Sequence, residues 1–170
     1  MGAVDVVQQW ALAAHLAAVD AEARRAVLDR GSVSADARRA PILSVMLAVS
    51  DVAAAVDWYK RALGATELWR FGPVAGLEIA GAPFFLGQPA RNGWQTPLEV
   101  GFATSRVEVF CDDPETFIRG ALEAGASGSL ATLEDHQRPW GVHRQGGFTD
   151  PFGHIWLVGD RTPLARWPKA

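Results

Sequence analysis

The chain has 170 residues and only one cysteine, Cys111. A single cysteine excludes an internal disulfide and any metal cluster built from several thiolates. Because Cys111 stands in an alternation of apolar residues, we interpret it as a buried thiol rather than as a nucleophile.

The chain also lacks a long apolar run and an excess of positive charge. No stretch is apolar over the length that a membrane-spanning helix needs. Residues 1–10 do not combine a basic region with an apolar stretch, as a secretory signal would. The formal net charge is −3, whereas nucleic-acid binding usually requires a basic face. These absences predict a cytoplasmic protein that binds neither membranes nor nucleic acid.

The N-terminal part of the chain is rich in alanine and has helical periodicity. Residues 3–30 contain no proline or glycine, and Val6 and Trp10 follow helical spacing. Gly31 then ends the pattern. We therefore expect residues 1–40 to form a helical extension and a linker.

From Pro41 onwards a pattern of short strands and one helix occurs twice. In the first copy the helix begins after Ser50-Asp51 and ends at Gly64; in the second it begins after Asp112-Asp113 and ends at Gly125. Three strands follow each helix. The predicted bounds are Ile42–Val49, Val52–Leu63, Glu67–Phe71, Gly76–Ile79 and Pro83–Leu86 in the first copy, and Arg106–Cys111, Pro114–Ala124, Ser129–Thr132, Val142–Thr149 and His154–Val158 in the second.

The two copies can be aligned, which predicts two similar modules packed together. Val49-Ser50-Asp51 matches Cys111-Asp112-Asp113, and Gly81 matches Gly153. The second copy carries extra residues at 134–146. The sequence thus predicts an α+β fold with two β-α-β-β-β modules. The predicted divisions are an extension at 1–40, a domain at 41–160 with modules at 41–90 and 104–160, and a C-terminal tail at 161–170.

A tight turn joins the last two predicted strands. Asp150 and Pro151 favour the opening of a turn, and Gly153 supplies the unusual backbone angle needed to leave it. The residues that follow, His154 to Val158, are bulky and strand-forming. This hairpin should be the last unit of the second sheet.

Two features resemble the glyoxalase / bleomycin-resistance / extradiol-dioxygenase superfamily, also called vicinal oxygen chelate proteins. They are the strand-to-helix junction at the start of each copy and the closing Asp-Pro-Phe-Gly-His-Ile-Trp run. The resemblance covers about residues 41–160. It implies that each module curls its sheet into half of a barrel-like cleft, which binds a small molecule and often a divalent metal. Members of the family are often dimers, so the resemblance also implies a homodimer.

The resemblance places the metal-binding positions of the family on the first and last strands of each module. Carried over residue by residue, the first-strand positions are Ser44 and Arg106, and the last-strand positions are Phe85 and Leu157. These four side chains cannot together bind a divalent cation, and an arginine would repel one. A one-residue slip in the alignment does not restore a ligand set. The expectation is therefore a protein with no metal cofactor.

The strand at residues 106–111 alternates between two kinds of side chain. Val107 and Val109 should pack under the helix, while Arg106, Glu108 and Phe110 should face the cleft. Arg106 either pairs with Glu108 or recognises a carboxylate or phosphate of a ligand through its guanidinium group.

Tryptophans supply a further candidate wall for the cleft. Trp69, Trp94 and Trp140 could bind a planar or apolar ligand, although packing of loops is an equally good interpretation for each. The predicted ligand-binding residues are Ser44, Met46, Phe85, Arg106, Glu108, Phe110, Trp140, His143 and Leu157.

Three functions remain open. The first is a metal-independent small-molecule binding protein, such as one that sequesters an antibiotic or a toxic metabolite. The second is a metal-dependent lyase, isomerase or dioxygenase with a displaced metal site. The third is a regulatory module whose extension carries partner contacts; fold alone does not separate the three. The displaced metal site would be drawn from Glu108, His136, His143 and His154.

Overall fold

The structure is a computed structural model, and it describes residues 43–90 and 93–164. The predicted helix at residues 3–30, its linker, the start of the first predicted strand and the end of the tail lie outside the described residues.

The first module is a four-stranded sheet with one helix on its buried side. The Asp51 carboxylate caps helix α1 by accepting a hydrogen bond from the Ala54 N–H at 3.0 Å, and Gly64 ends the helix in a left-handed conformation. The strand order is β1-β4-β3-β2, with β1 and β4 parallel. The bounds are β1 Val45–Ala48, α1 Val52–Leu63, β2 Thr66–Phe71, β3 Val74–Ile79 and β4 Ala82–Gly87.

The second module repeats this plan after a short connecting helix, α2. The strand order is β5-β9-β8-β6, with β5 and β9 parallel, and β7 pairs with β8. Helix α3 follows Asp113, whose carboxylate accepts from the Thr116 N–H at 3.0 Å. The bounds are α2 Pro97–Val100, β5 Arg106–Phe110, α3 Pro114–Glu123, β6 Ser127–Gly128, β7 Glu134–Arg138, β8 Gly141–Thr149 and β9 Ile155–Gly159, with 3₁₀ turns at Leu130–Thr132 and Thr162–Leu164.

These elements confirm the predicted α+β fold with two modules, with local corrections in the second module. The predicted strand at Ser129–Thr132 is wrong, because the Ser129 hydroxyl accepts from the Ala131 N–H at 3.1 Å and starts a 3₁₀ turn instead. Between α3 and this turn, residues Ser127–Gly128 form the short strand β6, which pairs with β8. The extra residues of this module extend its sheet as the β7–β8 hairpin.

Matching hydrogen bonds within the two modules show which residues correspond to one another. The Val49 N–H donates to the Gly87 carbonyl at 3.0 Å, and the Cys111 N–H donates to the Gly159 carbonyl at 2.9 Å. Gly87 and Gly159 are therefore equivalent. In the same register, Met46 faces Phe85 across β1 and β4, and Glu108 faces Leu157 across β5 and β9.

One hydrophobic core joins both modules. Tyr59 of α1 lies against Phe84 of β4 and Trp156 of β9, with ring centroids 5.5 and 5.7 Å away. Phe84 and Trp156 are themselves 6.2 Å apart. The helix-facing sides of the two sheets thus meet in the core, and the sheets do not close on one another. In residues 43–90 and 93–164, no helix is long and apolar enough to cross a membrane.

The predicted turn at Asp150 also connects the modules. One oxygen of its carboxylate accepts from the Tyr59 hydroxyl at 2.5 Å and the Trp156 indole at 2.9 Å. The other accepts from the backbone N–H groups of Phe152 and His154, both at 2.9 Å. Burial, and then the neighbouring Asp150 carboxylate, raise the pKa of Tyr59 well above its usual value. The turn thus both closes the last hairpin and binds the first module.

Candidate functional site

The open side of the first sheet carries an aromatic wall, which consists of Trp69, Phe85 and Trp94. The rings of Trp69 and Phe85 are 5.7 Å apart. Trp69 lies directly over Gly76, where an added Cβ would come within 2.6 Å of its Nε1. Trp94 lies over Gly87 in the same way, 3.0 Å from the position of a Cβ. Glycine at both places lets flat rings lie against the strands.

Ser44 and Met46 lie beside this wall on β1 or just before it. The Ser44 hydroxyl donates to the Pro83 carbonyl at 2.8 Å, so it is used to join the first and last strands of the sheet. Met46 is 46% exposed, and its sulfur lies next to Gly87. The Ser44 hydroxyl therefore stabilises the sheet, whereas Met46 presents a polarizable apolar surface.

The open side of the second sheet is polar. Arg106, Glu108 and Phe110 alternate along β5 with Val107 and Val109, which pack against the core. Arg106 and Glu108 line a recess of about 570 Å³ together with residues 103–105 and Ile155. No ion pair between Arg106 and Glu108 is present, and neither side chain has another charged partner in the described ranges.

A second recess of about 420 Å³ adjoins the first, because Ile155 lines both. Leu157 and Gln145 belong to its lining, together with His136 from the hairpin. Leu157 lies against Gly147, where an added Cβ would be 3.2 Å from its methyl group. The polar side of this sheet thus includes an apolar strip at β9.

His143 lies at the end of this face. Its ring stands over Gly159 and 6.4 Å from the ring of Phe110, and it is 3% exposed. Its Nδ1 lies 2.9 Å from an oxygen of Asp160 and 3.1 Å from the Thr162 hydroxyl. His143 was predicted from the sequence as a ligand-binding residue, but its contacts with Asp160 and Thr162 were not.

The Asp160 carboxylate is held ionised by its donors. Desolvation raises its pKa, but hydrogen bonds from the Thr162 hydroxyl, the Arg144 N–H and His143 outweigh this effect and hold the pKa well below its usual range. The Thr162 hydroxyl donates at 2.5 Å and the Arg144 N–H at 2.8 Å. A carboxylate so placed accepts hydrogen bonds only, so it favours a proton on Nδ1 of His143.

The four residues of the displaced metal site do not converge. His154 is buried on the core side, with its Nε2 2.9 Å from the Ala48 carbonyl. His136 is the cross-strand partner of His143, and Glu108 lies on β5. Nowhere in the described part of the chain do three His, Cys, Asp or Glu side chains form a group that could hold a metal ion.

Two other candidates lie away from the recesses. Trp140 is at the tip of the β7–β8 hairpin, 38% exposed, and lines neither recess. Cys111, expected to be buried, is only partly buried and follows the last residue of β5. Burial nonetheless raises the pKa of its thiol, which disfavours the thiolate.

Sequence reasoning missed the glycines that receive the rings and the partner of His143. Gly76 stands inside β3, and Gly87 and Gly159 are the last residues of β4 and β9; a glycine in a strand often marks a close approach. That signal was available. Asp160 follows the last strand and resembles any solvated loop carboxylate.

Comparisons with known proteins identify the family of the chain. Residues 42–158 match the family model of the Glyoxalase/Bleomycin resistance protein/Dioxygenase superfamily. The chain belongs to this superfamily. Uncharacterized proteins of Mycobacterium bovis and Mycobacterium tuberculosis are 36% identical to it over 129 residues, which are 70% of this chain and 82% and 74% of theirs.

Several solved structures share its fold. TioX from Micromonospora sp. ML1 is 26% identical with a TM-score of 0.52, covering 71% of this chain and 95% of that one. A glyoxalase/bleomycin resistance protein from Albidiferax ferrireducens is 16% identical with a TM-score of 0.55, and a bleomycin resistance determinant encoded on the transposon Tn5 is 17% identical with a TM-score of 0.53. Each covers 71% of this chain and 98% of its own.

Proposed function

We propose that this superfamily member is a metal-independent protein that binds a small, planar, anionic molecule. Sequestration of an antibiotic or a toxic metabolite would be its role. The observation that carries the proposal is the chemistry of the two open faces, of which one is aromatic and the other offers an arginine without a charged partner in the described ranges.

The metal-binding positions of the family support metal independence. Ser44 uses its hydroxyl on the Pro83 carbonyl, and Phe85 packs on Trp69. Leu157 is an alkyl group, and Arg106 is a cation. These four side chains do not fit a divalent metal, which prefers carboxylate, imidazole or amide ligands.

The aromatic wall supports a planar ligand. Trp69 and Phe85 form a tilted pair that is only partly buried, so ring surface remains open. An aromatic ring stacked on such a pair gains about 1 kcal/mol beyond the burial of its area. Aromatic walls with a few polar groups are typical of small-molecule sites.

Arg106 supports an anionic group on that ligand. It lines a recess and has no carboxylate partner among residues 43–90 and 93–164, so its five donors remain available there. A guanidinium group binds a carboxylate or phosphate through two parallel hydrogen bonds. Glu108 in the same recess would disfavour a second negative charge near it.

We further infer a homodimer. Because the two sheets meet through their helix-facing sides, the open faces of one chain lie on the outside of its core. A second copy would bring an aromatic face and a polar face together over one ligand. Exposed apolar residues near the start of each module support such a contact, because burying them against a second copy would remove apolar surface from water. They include Leu43, Val45, Leu98 and Phe102, which are 97%, 38%, 62% and 63% exposed.

Metal analysis is the first test. Protein purified without added metal should contain no stoichiometric Mn, Ni, Zn or Fe, and none of these ions should raise its melting temperature. Stoichiometric metal that is lost in a His143→Gln or Glu108→Gln variant would overturn the proposal and favour the lyase, isomerase or dioxygenase.

Anilinonaphthalene sulfonate, an aromatic anion, is a suitable ligand probe. Trp69→Ala and Arg106→Gln should each weaken its binding, by roughly five- to tenfold for the loss of one stacked ring or one charged hydrogen bond. Arg119→Gln on the surface of α3 removes an equal charge away from both recesses and serves as the control. Equal affinities in all three variants would contradict the proposal.

The same variants test the dimer. If one ligand contacts Trp69 of one chain and Arg106 of the other, a mixed dimer of the two variants contains one intact site. Mixing Trp69→Ala with Arg106→Gln protein should then restore part of the lost binding. No restoration, or a monomer in sedimentation, would contradict a site shared between chains.

A further inference from the structure

His143 and Asp160 form a pair that the repeated fold does not require. The Asp160 N–H donates to the Arg144 carbonyl at 3.0 Å, and the Gln88 N–H donates to the Pro73 carbonyl at 2.8 Å. These matching bonds make Gln88 the counterpart of Asp160. By the same register, Gly72 is the counterpart of His143. The first module thus builds the same sheet with neither partner.

The Asp160 carboxylate fixes which ring nitrogen of His143 is free. Four donors surround the carboxylate, namely Nδ1 of His143, the N–H and the hydroxyl of Thr162, and the Arg144 N–H. With the proton on Nδ1, the neutral ring carries its lone pair on Nε2.

The ring of His143 lies on the same side of the sheet as Phe110 and over Gly159. Its Nε2 has no hydrogen-bond partner among the described residues. In those ranges no fully buried side-chain nitrogen or oxygen lacks a partner, so Nε2 keeps a small accessible surface although the residue is only 3% exposed. His154 is similarly buried, at 7% exposed, but its Nε2 lies 2.9 Å from the Ala48 carbonyl.

We propose that Nε2 of His143 is a hydrogen-bond acceptor for a hydroxyl group of the ligand, held in that state by Asp160 and Thr162. Phe110, whose ring lies 6.4 Å from that of His143, favours an aromatic carrier for the hydroxyl. The ligand class is therefore a phenol. The inference rests on the proposed binding function and extends it, because it assigns a second polar contact besides Arg106.

Chemical modification tests the open nitrogen without any ligand. Diethyl pyrocarbonate reacts with the unprotonated nitrogen of imidazole, and mass spectrometry locates the product. His143 should react faster than His154 at neutral pH. Asp160→Asn should slow His143 by roughly tenfold, because an amide can donate to Nδ1 and place the proton on Nε2. Equal rates at His143 and His154 would overturn the inference, since a purely structural histidine predicts them.

A matched pair of probes tests the phenol. Wild-type protein should bind para-cresol, which keeps its hydroxyl proton at neutral pH, about fivefold more tightly than para-methylanisole, its methyl ether, the expected value of one hydrogen bond. His143→Phe and Asp160→Asn should remove this preference, with imidazole NMR signals reporting contact at His143 in the wild type. Equal binding of both probes overturns the phenol acceptor while leaving the proposed binding function intact. If the tryptophan fluorescence of the wild-type protein responds to neither probe, the result would instead count against the proposed binding function.

Discussion

Gly87 in the first module and Gly159 in the second are equivalent, and each lies beneath a ring. In the first module the ring is the indole of Trp94, and in the second it is the imidazole of His143. In each case a Cβ on the glycine would occupy space close to the ring. The repeated backbone therefore determines where a ring can lie, whereas the residue that supplies it determines what the face can bind.

The same division holds along the neighbouring strands. Phe85 and Leu157 are equivalent and both apolar, but Met46 in the first module corresponds to Glu108 in the second. The first face is consequently aromatic and soft, and the second is charged. Under the proposed function, the aromatic face of one chain and the polar face of its partner would contact different parts of a single ligand.

The largest expected effect is at the contact between the modules. Asp150→Asn should lower the free energy of unfolding by about 3 kcal/mol, because an amide group cannot accept from all four donors that the buried carboxylate now satisfies. Urea denaturation measures the loss. Glu78→Gln, near the corresponding turn of the first module, should cost little, since Glu78 has no side-chain partner in the described ranges. Similar losses in both variants would show that the turns are equivalent after all.

An intermediate effect is expected at the paired glycines. Gly159→Ala should cost about 2 kcal/mol, because the new methyl group would lie 2.6 Å from a ring anchored by Asp160. Gly87→Ala should cost about 1 kcal/mol, since its methyl group would be 3.0 Å from Trp94. Urea denaturation compares the two. A larger loss at Gly87 would mean that Trp94, not His143, is the more firmly held ring.

The smallest expected effect is on the pH dependence of stability, through Asp160. The folded pKa of Asp160 lies below its unfolded value, so the stabilisation is present above the ordinary carboxyl range, near pH 4, and is lost as pH falls through the folded pKa. Stability measured from about pH 6 to about pH 3 should therefore fall less steeply in Asp160→Asn than in the wild type. Gln88, the counterpart in the first module, does not titrate. An unchanged slope in the variant would contradict the assigned role of the carboxylate.

Most of the fold could be predicted because its signals are local. Asp51 and Gly64 stand next to the helix that they begin and end, and the second module repeats the pattern. The β7 strand was missed because its sequence, Glu-Asp-His-Gln-Arg, has no apolar alternation and depends on pairing with β8. The strand predicted at Ser129–Thr132 failed because a side-chain hydrogen bond overrode strand propensity.

The candidate site was predictable only where the alternation of residues along a strand decides which side of the sheet a side chain faces. Alternation placed Arg106 and Glu108 on the open side correctly, since Val107 and Val109 pack on the core. It could not identify Asp160 as the partner of His143, because the two are 17 positions apart and meet only through the sheet register. Nor could it exclude the Arg106–Glu108 pair, which depends on side-chain conformation.

The bond between Tyr59 and Asp150 spans 91 positions of the chain. During synthesis, the first module emerges long before its tyrosine can meet that carboxylate. Until then Tyr59 must remain hydrated, and the apolar surface around it cannot be fully covered. Long-range contacts of this kind form late and slow folding. We therefore expect a chain that stops before the closing turn to leave the apolar surface around Tyr59 partly exposed.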